Sequence, residues 1–340
     1  MSIFKRTTVL GTAAVLALAL SACGGASTDD ASNGEANDAA MTTLILGHEG
    51  NEEDPRQTAA LRLKELVEDE TEGRITIEIH PNGTLGNWEQ MIEGLQFGST
   101  DIVIESLLTL ESYSPLAGIE TAPFIYTDVE HFTTVWEGEI GKEIRDAITE
   151  DTGFTLAGNM FRGARELSTN TPVTSIDDLS GLTIRTPSAP TMLATWEALG
   201  ARAEAMPWDE VYSALEQGVL DGQENPFSSI LFASIHEVAP EITMTSHVYA
   251  NFHFIMWEEA LQDLDEADRE AVLDAATIVG QEYTEAIQED QADYRAQMEA
   301  DGATFHELSD RDAWVEATQP VIKSMPERVQ TWVKDIVALG

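Results

Sequence analysis

Short apolar runs alternate with amphipathic segments along most of this chain, the pattern of successive strand and helix units. Thr43-Leu44-Ile45-Leu46-Gly47 predicts a first strand, the stretch from Pro55 to Asp69 a helix, and the alternating Ile75, Ile77 and Ile79 a second strand. Pro81-Asn82-Gly83 then turns the chain. A helix from Trp88 to Phe97 leads into Asp101-Ile102-Val103-Ile104-Glu105, which ends on a carboxylate where the chain should leave the sheet. In open α/β sheets such strand ends face the ligand crevice. Further strands are predicted near Phe154–Met160, Leu182–Arg185 and Arg202–Ala205, and helices near Pro190–Leu199 and Trp208–Gln217. Two long helical stretches follow, Glu266–Glu299 and Asp310–Ala338. The sheet is expected to be mostly parallel, and the length suits two α/β lobes better than one small core.

The first forty residues break this pattern. Lys5 and Arg6 precede an apolar run from Val9 to Leu20, then small residues, which is the layout of a secretory signal too short to span a bilayer permanently. Leu20-Ser21-Ala22-Cys23, followed by Gly24-Gly25, resembles the lipobox of bacterial lipoproteins, in which the thiol receives a diacylglyceryl group and becomes the mature N-terminus. Residues 1–22 are thus expected to be a removable lipoprotein signal peptide, and Cys23, the single cysteine of the chain, the lipid anchor on the extracytoplasmic face of the cell membrane. Gly24 to Met41 holds no aromatic or branched apolar residue, so 23–41 reads as a flexible tether.

Charge excludes one class of partner. There are 61 acidic against 18 basic residues, a net charge of −43. Nucleic acid is not a natural partner for such a surface. The acids are spread along the whole chain, and self-repulsion of this size is relieved by salt, so the acidity points to a salty environment and says little about function. It also strips paired carboxylates of catalytic meaning. There is no G-x-G-x-x-G, phosphate-loop, H-E-x-x-H or G-x-S-x-G motif, and the seven histidines include no i, i+4 pair. No cofactor, no metal site and no enzyme activity are expected.

What stands out lies between residues 160 and 260. Gly181-Leu182-Thr183-Ile184-Arg185-Thr186-Pro187-Ser188 puts an arginine at the end of an apolar strand, with a helix start at Ser188 to Pro190. An arginine there can grip a carboxylate through two parallel N–H donors, and a helix N-terminus beside it adds positive potential. An interlobe ion pair would use the same residue. Met206-Pro207-Trp208-Asp209-Glu210-Val211-Tyr212 and Val219-Leu220-Asp221-Gly222-Gln223-Glu224-Asn225-Pro226 then resemble the solute-binding proteins of tripartite ATP-independent periplasmic (TRAP) transporters. The match extends to Pro81-Asn82-Gly83-Thr84-Leu85-Gly86, Pro123-Phe124, Gly163-Ala164-Arg165 and Thr245-Ser246-His247, nearly all of the chain beyond the tether.

That resemblance implies an α/β, two-lobed periplasmic-binding-protein-like fold of class II type, with hinge strands and a long lobe-spanning helix. Residues 42–163 and 251–290 would form lobe 1, and 164–250 and 291–340 lobe 2. The implied role is capture of a small organic anion, as a monomer, and its delivery to the small and large membrane subunits of a TRAP permease. Carried over by motif, the carboxylate-gripping arginine falls on Arg185, a second arginine on Arg165, the cleft asparagine on Asn225, and the aromatic under the ligand on Trp208. Glu105 matches a glutamate that accepts ligand hydroxyl or amine donors in some relatives. Ser188, at the helix start, and His48, Glu49, Tyr249 and His253, by neighbourhood, complete the candidates. Ectoine-binding relatives carry an acid and two aromatics where this chain has Gly50, Thr109 and Ala250. A sugar acid such as a uronate or aldonate therefore fits best, with an ectoine-type solute, a C4-dicarboxylate, a 2-oxo acid or a ligand-sensing lipoprotein as alternatives.

Overall fold

A computed structural model describes Met41–Gly340; the expected signal peptide, Cys23 and the expected tether up to residue 40 lie outside the described residues. The first apolar run forms β1 (Thr42–Gly47), followed by β2 (Ile75–His80) and β3 (Ile102–Ser106), close to the predicted bounds. β4 (Phe154–Thr169) is far longer than expected, and β8 (Glu241–Trp257) forms where no strand was predicted; β5 (Thr183–Thr186), β6 (Arg202–Ala205), β7 (Gly222–Asn225) and β9 (Thr304–Glu307) are short. All join one sheet in the order β2-β1-β3-β8-β4-β7-β5-β6, with β9 on β8.

The sheet is mixed: five of its eight strand pairings are parallel, as expected, and its centre is antiparallel, which was not. The wings β2-β1-β3 and β7-β5-β6 are parallel, but β4 and β8 at the centre run antiparallel to each other, β8 to β3 and β4 to β7. The reason is that two long strands carry the chain from one wing to the other and back, and a directly paired return strand must reverse direction. One apolar core runs through Leu46, Leu63, Ile77, Ile104 and Phe254 under the first wing and along the long strands. A separate core under β5 gathers Leu167, Ile184, Trp196, Leu199 and Trp314.

Local chemistry sets the helix ends. Asp54 caps Pro55–Glu70, with Pro55 in the first turn where its missing N–H costs nothing. Asn87 and Gln90 form a capping box that starts Trp88–Phe97, and Gly98 ends it in the left-handed conformation. Glu266–Ala300 is a single helix of 35 residues lying along β4. The C-terminal stretch is broken into Arg311–Ser324 and Glu327–Val337, because Met325 precedes Pro326 and is held extended. The last helix packs on Val129–Glu137 and Glu139–Thr152, two helices the periodicity had not indicated, through His131 Nε2 to the Ile336 carbonyl at 2.9 Å and Trp332 Nε1 to Glu143 Oε1 at 3.0 Å. No helix among the described residues is long and apolar enough to cross a membrane.

The decisive irregularity is in β4. Its register with β8 shifts between Phe161 and Gly163 and again between Arg165 and Leu167. Gly163 sits at φ +111°, and a Cβ there would lie 3.1 Å from Pro226 Cβ, so the bend is built around a residue without a side chain.

Candidate functional site

Strand ends from both wings and the bulged stretch of β4 converge on a buried chamber of about 50 Å³, lined by Glu49, Arg56, Glu105, Arg162, Arg165, Arg185, Trp208 and Asn225 among others. It continues into an outer chamber of about 290 Å³ that shares Glu49, Arg56, Trp208 and Ser229 and adds Asn51, Asp209 and Tyr212. Asn51 Nδ2 donates to the Phe232 carbonyl at 2.9 Å, joining two walls of that outer chamber.

Arg185 is 3 % exposed. Its Nε donates to the Met206 carbonyl at 2.8 Å, and its guanidinium carbon lies 5.4 Å from the Trp208 ring centroid. Neither terminal nitrogen has a protein acceptor among the described residues, so the fork is oriented by the main chain and free toward the chamber. Burial pulls its pKa down to about 10 against the attraction of Glu224, which leaves it charged at neutral pH.

Arg165 is placed differently. Glu224 takes its Nε at 2.5 Å and Nη2 at 2.8 Å, and the Glu224 carbonyl takes Nη2 again at 2.8 Å. His247 Nε2 is also 3.2 Å from Glu224. Burial opposes the Glu224 charge, yet Arg165 and His247 hold its pKa at about 2. Arg165 thus lines the chamber with its charge already compensated.

Arg162 was not foreseen. It donates to Ser106 Oγ at 2.7 Å, Ser229 Oγ at 3.0 Å and Asn225 Oδ1 at 3.2 Å, and stacks 4.0 Å above Phe252. Asn225 in turn donates to Gln223 Oε1 at 2.8 Å, so its amide orientation is fixed. In an unbroken strand Arg162 and Arg165 would point to opposite faces; the register shifts around Gly163 bring both to the chamber. The glycine between two arginines was the readable signal.

The opposite wall is acidic. Arg56, also missed, is gripped by Asp54 through Nε at 2.9 Å and Nη2 at 2.8 Å and reaches Glu105 at 3.5 Å. Burial works against that pair, but Arg56 holds the Asp54 pKa below the usual carboxylate range. Glu105 also accepts the Ser106 N–H at 3.0 Å. Glu49 accepts the N–H of Trp88, first residue of its helix, at 3.0 Å; burial, and then the charge of Glu105, push its pKa up to about 7.

Four candidates stand off the chamber walls. His48 is buried against Gln57 at 2.9 Å, and burial lowers its pKa to about 4. Tyr249 packs among Phe132 and Phe161, with ring centroids 5.9 and 6.4 Å away. His253 faces the Gly158 carbonyl at 2.7 Å, and burial lowers its pKa to about 3. Ser188 is exposed beyond Pro187, which does line the chamber. The helix Pro190–Ala198 lends no free N-terminus either, because Glu111 already accepts the Thr191 N–H at 2.9 Å. No group of three or more metal-ligating side chains occurs among the described residues.

The family model of bacterial extracellular solute-binding protein, family 7, matches residues 46–328. The chain is 34% identical over 295 residues to Solute-binding protein RD1_1052 of Roseobacter denitrificans, covering 86% of this chain and 90% of that one. It is 32% identical over 284 residues to the C4-dicarboxylate-binding periplasmic protein DctP of Rhodobacter capsulatus, covering 81% and 84%. Among solved structures, the Roseobacter denitrificans TRAP solute-binding protein with bound L-galactonate matches at TM-score 0.82 and 33% identity, covering 87% and 99%. A TRAP solute-binding protein of Citrobacter koseri with bound D-glucuronate matches at TM-score 0.84 and 28% identity, covering 88% and 100%. The chain belongs to family 7 of the bacterial extracellular solute-binding proteins, the extracytoplasmic binding components of TRAP transporters, and has their two-lobed α/β fold.

Proposed function

We propose that the protein captures a sugar acid of the aldonate or uronate type, without turning it over, and hands it to a TRAP permease from a position tethered to the membrane through lipidated Cys23. The observation that carries this reading is the free fork of Arg185 facing Glu49 and Glu105 within one chamber. A carboxylate gains two charge-assisted hydrogen bonds at the arginine end. A polyol chain supplies the donors that the glutamates can accept at the other end. The relatives from Roseobacter denitrificans and Citrobacter koseri carry L-galactonate and D-glucuronate, ligands with this two-ended chemistry. A dicarboxylate would set its second charge against Glu49 and Glu105.

In this reading residues 42–163 with 251–290, and 164–250 with 291–340, are the lobes that close on the ligand. Their boundaries meet at the registered pair Gly163 and Ala250, inside the two long strands. Asn51 to Phe232 and Glu111 to Thr191 would then be contacts made between lobes on closure.

A thermal-shift screen at high salt against L-galactonate, D-glucuronate, succinate and ectoine tests the proposal. Ligand at a hundredfold over its Kd adds about 2.7 kcal/mol to stability. The expected result is a shift with the sugar acids that disappears in Arg185→Ala. A shift with ectoine or succinate alone would overturn the sugar-acid assignment.

A further inference from the structure

Charges at the chamber balance within the protein itself. Arg56, Arg162, Arg165 and Arg185 line the inner chamber, and its carboxylates Glu49 and Glu105, together with Asp54 and Glu224 that pair with Arg56 and Arg165, make four against four; Asp209, exposed on the outer chamber, lies outside this count. Three of those carboxylates have a cationic partner. Asp54 accepts twice from Arg56, Glu224 twice from Arg165, and Glu105 lies 3.5 Å from Arg56 Nη1. Glu49 has none: its one protein hydrogen bond among the described residues is the neutral amide of Trp88.

The surroundings of Glu49 come from five elements. Glu105 approaches from β3, Arg56 and Asp54 from the start of Pro55–Glu70, Trp88 from the next helix, Arg185 from β5, and Asp209 and Tyr212 from Trp208–Glu216 across the outer chamber. His48, its neighbour in sequence, is turned into the interior toward Gln57. The two nearby cations are each shared: Arg56 is committed to Asp54 and Glu105, and Arg185 is the anion clamp.

A ligand carboxylate at Arg185 would therefore bring the inner chamber to a net −1 unless one carboxylate is neutralised, which is costly away from water. Of the four, Asp54, Glu105 and Glu224 are buried and Glu49 is half-buried, within reach of a solvent proton. We infer, on the anion-capture reading above, that the ligand enters together with one proton from solvent, which Glu49 takes up, so that the chamber stays neutral and the new Glu49 hydroxyl donates to Glu105 or to a ligand oxygen. The Glu49 pKa of about 7, raised by burial and by Glu105, agrees with a carboxyl that exchanges its proton near neutrality.

The sign follows from linkage. Below about pH 7 Glu49 already holds the proton and affinity is constant; above it the ligand must bring the proton in, and Kd rises by up to tenfold per pH unit until the pKa of the complex is reached. A second ligand carboxylate would require a second proton, which gives the site a reason to prefer monocarboxylates.

Calorimetric titration of the protein with D-glucuronate and L-galactonate at pH 8, in two buffers of different ionisation enthalpy, reads the coupling directly. Uptake of about 0.9 proton per ligand is expected at one pH unit above the free pKa. Glu49→Gln should bind without proton uptake and with a Kd that is flat from pH 6 to 9. Wild-type binding with no buffer-dependent heat would overturn the coupling while leaving the anion clamp standing. Uptake that persists in Glu49→Gln would overturn the assignment to Glu49. Failure of the wild type to bind either sugar acid would instead bring down the functional reading, and the inference with it.

Discussion

Nε of Arg165 lies 2.5 Å from Oε2 of Glu224, and both side chains are buried out of solvent. This pair separates two arginines that share a chamber: Arg165 is compensated inside the protein, and Arg185 is not. Glu224→Gln should leave Arg165 as a buried cation without its anion, costing about 3–5 kcal/mol of unfolding free energy. Urea denaturation checks this, and the double change Arg165→Met with Glu224→Met should recover most of the loss. A single change that costs nothing would mean the pair is not holding the charge.

Arg185 should behave in the opposite way. Its removal takes out a buried cation with no acidic partner of its own, so Arg185→Met is expected to keep or raise the stability of the ligand-free protein while weakening sugar-acid binding by about 2–5 kcal/mol. Arg185→Lys keeps the charge but loses the fork, and it should fall between the two in affinity. Melting curves with and without ligand test both expectations. Equal affinity in the lysine variant would show that the site reads charge alone.

The contrast between these two arginines explains what the sequence revealed. Arg185 was legible from a local pattern, an apolar strand ending in arginine, whereas Trp208 was legible only through the resemblance to TRAP solute-binding proteins. Glu105, next to last in β3, and Glu49, two residues past β1, were legible from their places at strand ends. The partner of Arg165 was not, since Glu224 is 59 positions away and meets it only through the pairing of β4 with β7. Arg162 was hidden by the bulge, because strict alternation turns it away from Arg165. Arg56 was hidden because a charged residue at a helix start looks like a solvated face until Asp54 folds back on it. The direction of the central strands was not legible, because the buried run His247–Met256 in β8 shows no alternation and periodicity alone does not orient a strand. The break at Pro326, by contrast, was readable from the proline and was passed over.

Gly163 makes that bulge testable. Its φ of +111° is outside what side-chain-bearing residues readily adopt, and a Cβ would press on Pro226. Gly163→Ala should cost about 1–3 kcal/mol of stability. Because Arg162 and Arg165 flank the site, it should also weaken ligand binding more than an alanine placed on an exposed helix face does. A variant that binds and melts like wild type would show that the bulge does not set the arginine register.

Stability should also follow pH in a direction set by buried carboxyls beyond the chamber. Burial raises the pKa of Glu120 to about 7, although it accepts the Leu108 and Asn251 amides, and burial does the same to Glu166 beside Ser246, both against an ordinary 4.5. In the folded chain these groups hold their protons up to about pH 7, whereas the unfolded chain releases them near 4.5. Folding therefore binds protons between those values, and stability falls as pH rises through the window, by on the order of 3 kcal/mol for each group, and is level above it. Glu224 works with the opposite sign: its folded pKa of about 2 makes a contribution that is complete above 4.5 and is lost as pH falls toward 2. Buried His48 and His253 also oppose the slope set by Glu120 and Glu166, because their folded pKa values of about 4 and 3 lie below the 6.5 of the unfolded chain and stability is lost as pH falls below 6.5. The net loss of stability in the ligand-free protein should therefore be concentrated as pH rises from about 6.5 to 7.5. The measurement belongs in about 1 M salt, where a Debye length of about 3 Å screens the repulsion among surface acids and leaves the buried groups to set the slope. A profile that is flat from pH 6.5 to 8 under those conditions would mean that Glu120 and Glu166 are ionised in the folded state, held by their amide and hydroxyl donors.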